Sequence, residues 1–171
     1  MRRIERDSGA ALQFVADWVD LLSERRYDEA VSLLRIRPIP IRGSGFHRLL
    51  CRLGLREPNP PFLLTGDFVR DQISTYMDGA VVTPPLGASG SPKRASLVNS
   101  LKDDDVEGAI HPDYPFAVLW NTHSPLEASD YLGYAVADLP MNDTWSDYTI
   151  EFSLHNESGD VVFELGQMGV L

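Results

Sequence analysis

Tyr148, Ile150, Phe152 and Leu154 alternate strictly with Thr149, Glu151, Ser153 and His155. This pattern constrains the chain more than any other. A period of two places successive side chains on opposite faces of an extended strand. One face is then buried and the other wet, as in antiparallel sheets. Asn156-Glu157-Ser158-Gly159 supplies a hairpin turn, and Val161, Phe163 and Leu165 line one face of the run that follows. Tyr131–Leu139 is a third such run and ends at Pro140. The segments Tyr131–Leu139, Tyr148–Leu154 and Val161–Leu171 predict an antiparallel meander, and Phe116–Trp120 predicts a further short strand.

The first third has a different period. Leu12, Val15, Val19 and Leu22 share one helical face, widened by Phe14, Trp18 and Leu21. This predicts a helix over 10–24 with Ser8 as N-cap. Arg25-Arg26-Tyr27-Asp28 is a tight break before a short helix carrying Ala30, Val31, Leu33 and Leu34. Thr65 is placed to cap a third helix with Phe68, Val69, Ile73, Tyr76 and Met77 on its apolar side, and Gly79 is placed to stop it. Helices first and antiparallel strands last define an α+β fold, with the helices packed on one face of a curved C-terminal sheet. At 171 residues the chain suffices for a single domain. Two segments interrupt it. A basic, proline-flanked insertion covers about 35–63, and a flexible loop rich in Pro, Gly and Ser covers about 83–95.

Charge divides the chain as sharply as hydrophobicity does. Residues 1–102 hold all 15 basic side chains against 11 acidic ones, while 103–171 hold 14 acidic and no basic side chain. The formal net charge is −10. Phosphate affinity comes from clustered Lys and Arg, so this balance argues against nucleic acid and anionic membrane as partners. Six arginines and no acid lie between Arg35 and Arg56, where the helical spacing of Phe46, Leu49, Leu50 and Leu53 predicts a basic amphipathic helix. Such a segment suits a solvated face or docking onto the acidic half. Cys51 is alone and forms no internal disulfide. No apolar run approaches the length of a membrane span, and the charged start lacks a signal-peptide pattern. A cytoplasmic protein is expected.

The order of long helix, short helix, third helix and curved sheet resembles the nuclear transport factor 2-like superfamily, a cystatin-like α+β cone. Phe14-Val15-Ala16-Asp17-Trp18-Val19-Asp20-Leu21-Leu22 and Arg26-Tyr27-Asp28-Glu29-Ala30 look like its helical opening. Leu139-Pro140-Met141-Asn142, Trp145-Ser146-Asp147-Tyr148-Thr149 and Val170-Leu171 look like a bacterial branch of uncharacterised function. The superfamily holds isomerases, dehydratases, cyclases, transport adaptors and immunity proteins, so the fold alone selects no activity. The resemblance implies a cone-mouth site in which Asp, His or Tyr acts, and Asp130, Tyr134 and His123 are the candidates it offers here.

The metal candidates are weak on spacing alone. Asp103, Asp105 and Glu107 alternate ahead of Gly108 as in a calcium loop, but Tyr114 stands where a bidentate Glu belongs. His111, His123 and Glu127 suggest a metal site, but Pro125 interrupts the helical spacing of His123 and Glu127. No nucleophile elbow, phosphate loop or dinucleotide pattern is present, and no cofactor is expected. The expectation is a non-catalytic interaction domain of immunity or antitoxin type. Its acidic sheet half would bind a basic protein partner, and it would form a homodimer. The alternative is an isomerase, dehydratase or cyclase-type enzyme using the cone pocket.

Overall fold

The computed structural model describes residues 1–38, 52, 61–76, 79–84, 106–121 and 130–170. Cys51, the predicted basic helix apart from Arg52, most of the loop at 83–95, and the candidates Asp103, Asp105 and His123 lie outside them.

Helix α1 spans Ser8–Ser23. Its cap is Asp7, whose carboxylate accepts the Ala10 N–H at 2.8 Å, rather than Ser8. Ser8 is the first helical residue, and its hydroxyl accepts the Trp120 Nε1–H at 2.8 Å. Position 8 therefore ties the helix to the sheet. The buried face carries Leu12, Phe14, Val15, Trp18, Val19 and Leu22, as the spacing predicts. Arg25 adopts a φ of 60° and turns the chain into α2, Tyr27–Ser32. Trp18 Nε1 donates to the Ala30 carbonyl at 2.9 Å and fastens the two helices.

Helix α3 spans Gly66–Tyr76, and Thr65 accepts the Phe68 N–H in the predicted capping position. Gly66 is required there. A Cβ at this position would lie 2.3 Å from Asp28 Oδ1 and 2.7 Å from the Asp28 nitrogen. The first turn of α3 thus abuts the α2 backbone with no room for a side chain.

Five strands form one antiparallel sheet in sequential order: β1 Val106–Ile110, β2 Phe116–Asn121, β3 Tyr131–Met141, β4 Thr144–Glu157 and β5 Asp160–Val170. The expected α+β architecture is present, with helices N-terminal and a curved, open sheet C-terminal. Two-residue turns join β3 to β4 and β4 to β5. Asn142 and Asp143 have φ of 51° and 61°, and Ser158 and Gly159 have 59° and 98°. Paired positive φ values match the twist of adjoining strands. Asn156 Oδ1 accepts the Gly159 N–H at 3.0 Å and fixes the predicted hairpin.

Three further details differ from the sequence expectations. β3 does not stop at Pro140 but continues to Met141, with Pro140 opposite Trp145 after a register shift. Proline is tolerated there because the ladder is already interrupted. The acidic run before Gly108 leads into β1, so Gly108 is extended and opposite Leu119, where a calcium loop needs a sharp turn. The alternate face of β4 is only partly wet, since Thr149 and His155 are buried.

Phe14 stacks on Phe163 with centroids 3.9 Å apart, and Trp18 meets Phe152 edge-on at 5.1 Å. Tyr148, Ile150, Phe152 and Leu154 all bury into this core between helices and sheet. The outer face carries a second, smaller cluster of Ala117, Leu119 and Val136, flanked by Ile110 and Tyr134.

Candidate interaction surface

Register determines what the outer face presents. Tyr134 lies between Leu119 and Ser153, Val136 pairs with Glu151, and Glu151 pairs in turn with Gln167. His155 pairs with Tyr131, their rings 5.8 Å apart. The result is a patch of Tyr131, Tyr134, Glu151 and Ser153, each half-buried, beside exposed Gln167. Burial pushes both phenols above their usual range, and the nearby Glu151 carboxylate pushes them further. No strand can add a Lys or Arg to this face, because residues 103–171 contain none.

At one end of the sheet, arginines from the first part of the chain meet these acids. Arg35 Nη1 and Arg37 Nη2 donate to Asp130 Oδ2 at 2.8 and 2.7 Å. Arg37 Nε also lies 3.0 Å from Glu164 Oε2. His155 sits between the same two acids, 3.4 Å from Asp130 and 3.7 Å from Glu164. Hydrogen bonding from Arg35, with smaller contributions from His155 and Arg37 and against the opposing effect of burial, lowers the Asp130 carboxyl to about 2. Main-chain bonds hold the same end: Arg35 N to Phe163 O at 2.7 Å and Asn156 N to Asp130 O at 2.6 Å. Arg3 completes the staple, 3.0 Å from Glu157 and 4.0 Å from Asp160.

The opposite end differs. Asp113, in the β1–β2 connection, and Asp143, in the β3–β4 turn, are exposed, and no arginine among the described residues pairs with either. Beside β5 lies a cleft of about 300 Å³ between Arg35-Ile36-Arg37, the aromatic side chains of Phe62 and Phe68, and Glu164–Met168.

The sequence-predicted candidates among the described residues therefore do not converge. Asp130 belongs to the ion-paired end and Tyr134 to the outer face, and neither lines the cleft. Glu107 is exposed in β1 opposite Trp120. His111 accepts the Asp113 N–H at 3.1 Å and stacks on Tyr114. Among the described residues no group of three His, Cys, Asp or Glu side chains is arranged to hold a metal ion. Sequence reasoning missed Arg35, Arg37, His155 and Glu164 as one group. Their only shared signal is the Arg-x-Arg spacing at 35–37, which in an extended segment points both guanidiniums the same way. Comparison with protein-family models, curated proteins and solved structures finds no match for this chain.

Proposed function

We propose that this chain is a non-catalytic protein-interaction domain that presents the outer face of its sheet to a basic protein partner. The observation that carries this reading is the Tyr131–Tyr134–Glu151 patch on a sheet whose own strands contain no cationic side chain. Tyrosine offers large contact area at small entropic loss, and its ring attracts Arg and Lys. A carboxylate beside such rings favours a guanidinium or ammonium over a neutral group. The space between helices and sheet is occupied by Phe14, Trp18, Phe152 and Phe163, which supports surface binding over a ligand-filled cone.

In its most specific form the partner is a toxin whose basic substrate site is masked, with binding in the cytoplasm. The element order is in keeping with kinship to the nuclear transport factor 2-like superfamily. The test is affinity capture from native lysate across a salt series. A basic protein retained at low salt and released at about 0.5 M, where the Debye length falls to a few ångströms, supports the reading. Glu151→Lys must abolish that capture while the far-ultraviolet circular dichroism stays unchanged. Capture that ignores both salt and Glu151→Lys overturns it.

One observation favours the enzymatic alternative. His155 lies beside the cleft within 3.4 Å of Asp130 and 3.7 Å of Glu164, and a titratable group between two carboxylates is a starting point for acid–base chemistry. Small carbonyl compounds that raise the melting temperature of the wild type but not of His155→Gln would move the conclusion to that reading.

A further inference from the structure

Part of the sheet's outer face is shut off from water. Ala117, Leu119 and Val136 point away from the helices, yet they are 0, 3 and 7% exposed. Asp138 and Thr149, hydrogen-bonded to each other on the same face, are 2 and 4% exposed. Neighbours within a sheet do not achieve this alone. They flank a side chain at its own level, while water reaches it from above. Leu119 lies between Gly108, which has no side chain, and Tyr134, which is only half-buried. Among the described residues, Ile110 and Tyr134 pack against the cluster, both from within the sheet. Burial of Leu119 therefore requires a further layer of chain over it.

The course of the chain points to the segment. Val82 bridges Met141, and the Thr83 N–H bonds the Pro140 carbonyl. The chain next joins the sheet at Val106, opposite Asn121. Phe116 is opposite Ala137, so Pro140 lies beyond the Phe116 end of β2, and Asn121 is the other end. Residues 85–105 thus leave from one end of β2 and finish at the other. They have to pass along its length, roughly 17 Å at 3.4 Å per residue. Helix α1 packs on the inner side of β1, β2 and β3, which leaves the outer side for that passage. The other long connections make no such crossing. The chain between Arg37 and Phe62 leaves and regains one cleft beside β5. The chain between Asn121 and Tyr131 leaves β2 and enters β3 at the same end of the sheet.

Composition agrees with this course. Ser91-Pro92 reads as a helix start, with serine as the cap and proline in the first turn. Leu97, Val98 and Leu101 then share one helical face. A helix over 93–102 spans about 15 Å, close to the length of β2. Lys93, Arg94 and Lys102 are the last cations in the sequence, and the strands supply none. The face beneath holds the carboxylate of Asp138 and, at its margin, that of Glu151. A carboxylate withdrawn from water favours a cation beside it.

We propose that residues 93–102 lie across the outer face of β2 and β3, with Leu97, Val98 and Leu101 on Ala117, Leu119 and Val136, and with their cations toward Asp138 and Glu151. The segment is a built-in cover for the apolar part of that face. It leaves open the margin formed by Tyr131, Tyr134, Glu151 and Ser153, which is half-buried rather than buried.

Thiol labelling tests the cover directly and needs no partner. In a Cys51→Ser background, Leu119→Cys reports the outer face and Val15→Cys reports the core beneath α1. The thiol at position 119 is expected to react slowly in the otherwise unaltered chain. Leu97→Ser combined with Leu101→Ser should speed its reaction about tenfold or more, while the thiol at position 15 stays protected. Leu126→Ser, between β2 and β3, and Leu49→Ser combined with Leu53→Ser should leave position 119 slow. Fast reaction at position 119 from the outset overturns the proposal. So does indifference to the substitutions at 97 and 101, or release by one of the other variants instead. Equal acceleration at positions 119 and 15 overturns it as well, because the segment would then support the core and not the outer face.

Discussion

Asp130, just ahead of β3, joins β4 and an arginine pair through one carboxyl group. Arg35 and Arg37 donate to one of its oxygens, and His155 approaches the other. Its carboxyl titrates near 2, below the value of about 3.9 for a free aspartate. Folding therefore gains from the ionised form. That gain is complete above about pH 4 and disappears as pH falls through about 2. Asp130→Asn should lower the urea midpoint at pH 6, and the gap from wild type should close as pH falls across that interval. An equal gap at both ends would show that the residue acts by packing alone. Gly133 makes a different single-residue demand. Its φ is 150°, and a Cβ there would sit 2.1 Å from the Leu119 carbonyl oxygen. That obstacle is backbone and cannot swing aside, so Gly133→Ala should cost about 3 kcal/mol or more in urea unfolding. Neither role was legible in sequence. Asp130 is 95 residues from Arg35, and a glycine in a strand does not announce which backbone approaches it.

At the level of elements, periodicity located α1, α3, β4 and β5, because each buries one face against the same core, and β2 stood out as a short apolar run buried on both faces. It failed at β1, where Val-Glu-Gly-Ala-Ile is too short and too polar at its start to stand out from a turn. It also misjudged the outer face of β4. Alternation identifies the face turned from the helices but not whether that face is covered, and Thr149 is buried with its hydroxyl on Asp138 at 2.9 Å. Trp18 tests how elements are joined. Its ring packs on Phe152 and its Nε1–H bonds the Ala30 carbonyl, so one side chain links sheet, α1 and α2. Trp18→Phe keeps an aromatic ring but removes the indole donor, leaving that buried carbonyl only the longer bond from the Leu33 N–H at 3.3 Å. The expected loss is about 1–3 kcal/mol, and hydrogen exchange should rise more in α2 than in the β3–β4 ladder. Uniform acceleration would mean that the helices unfold with the sheet as one unit.

Across the whole molecule, the charge division in the sequence becomes a contact between halves. Arg3, Arg35 and Arg37 are from the basic part, and Glu157, Asp160, Asp130 and Glu164 are from the acidic part. The sequence made such docking imaginable but assigned it to the segment between Arg35 and Arg56, of which the described contacts involve only the start. Pairs this exposed contribute about 0–1 kcal/mol each, and salt screens them. Global stability should therefore change little as salt rises, because the apolar core carries it. Local opening should change more. The Arg35 N–H, bonded to Phe163 at the edge of β5, lies beside three of these ion pairs, whereas the Trp18–Phe152 core lies remote from them. Raising salt from about 0.05 to about 1 M, which shortens the Debye length to about 3 Å, should speed exchange of the Arg35, Ile4 and Val161 amides severalfold. Amides of β3 and β4 should hold their protection. If the edge amides do not respond, the main-chain bonds alone hold the N-terminal segment to β5. If β3 and β4 respond equally, the ion pairs support the whole sheet, and the division between a salt-sensitive edge and an apolar core fails.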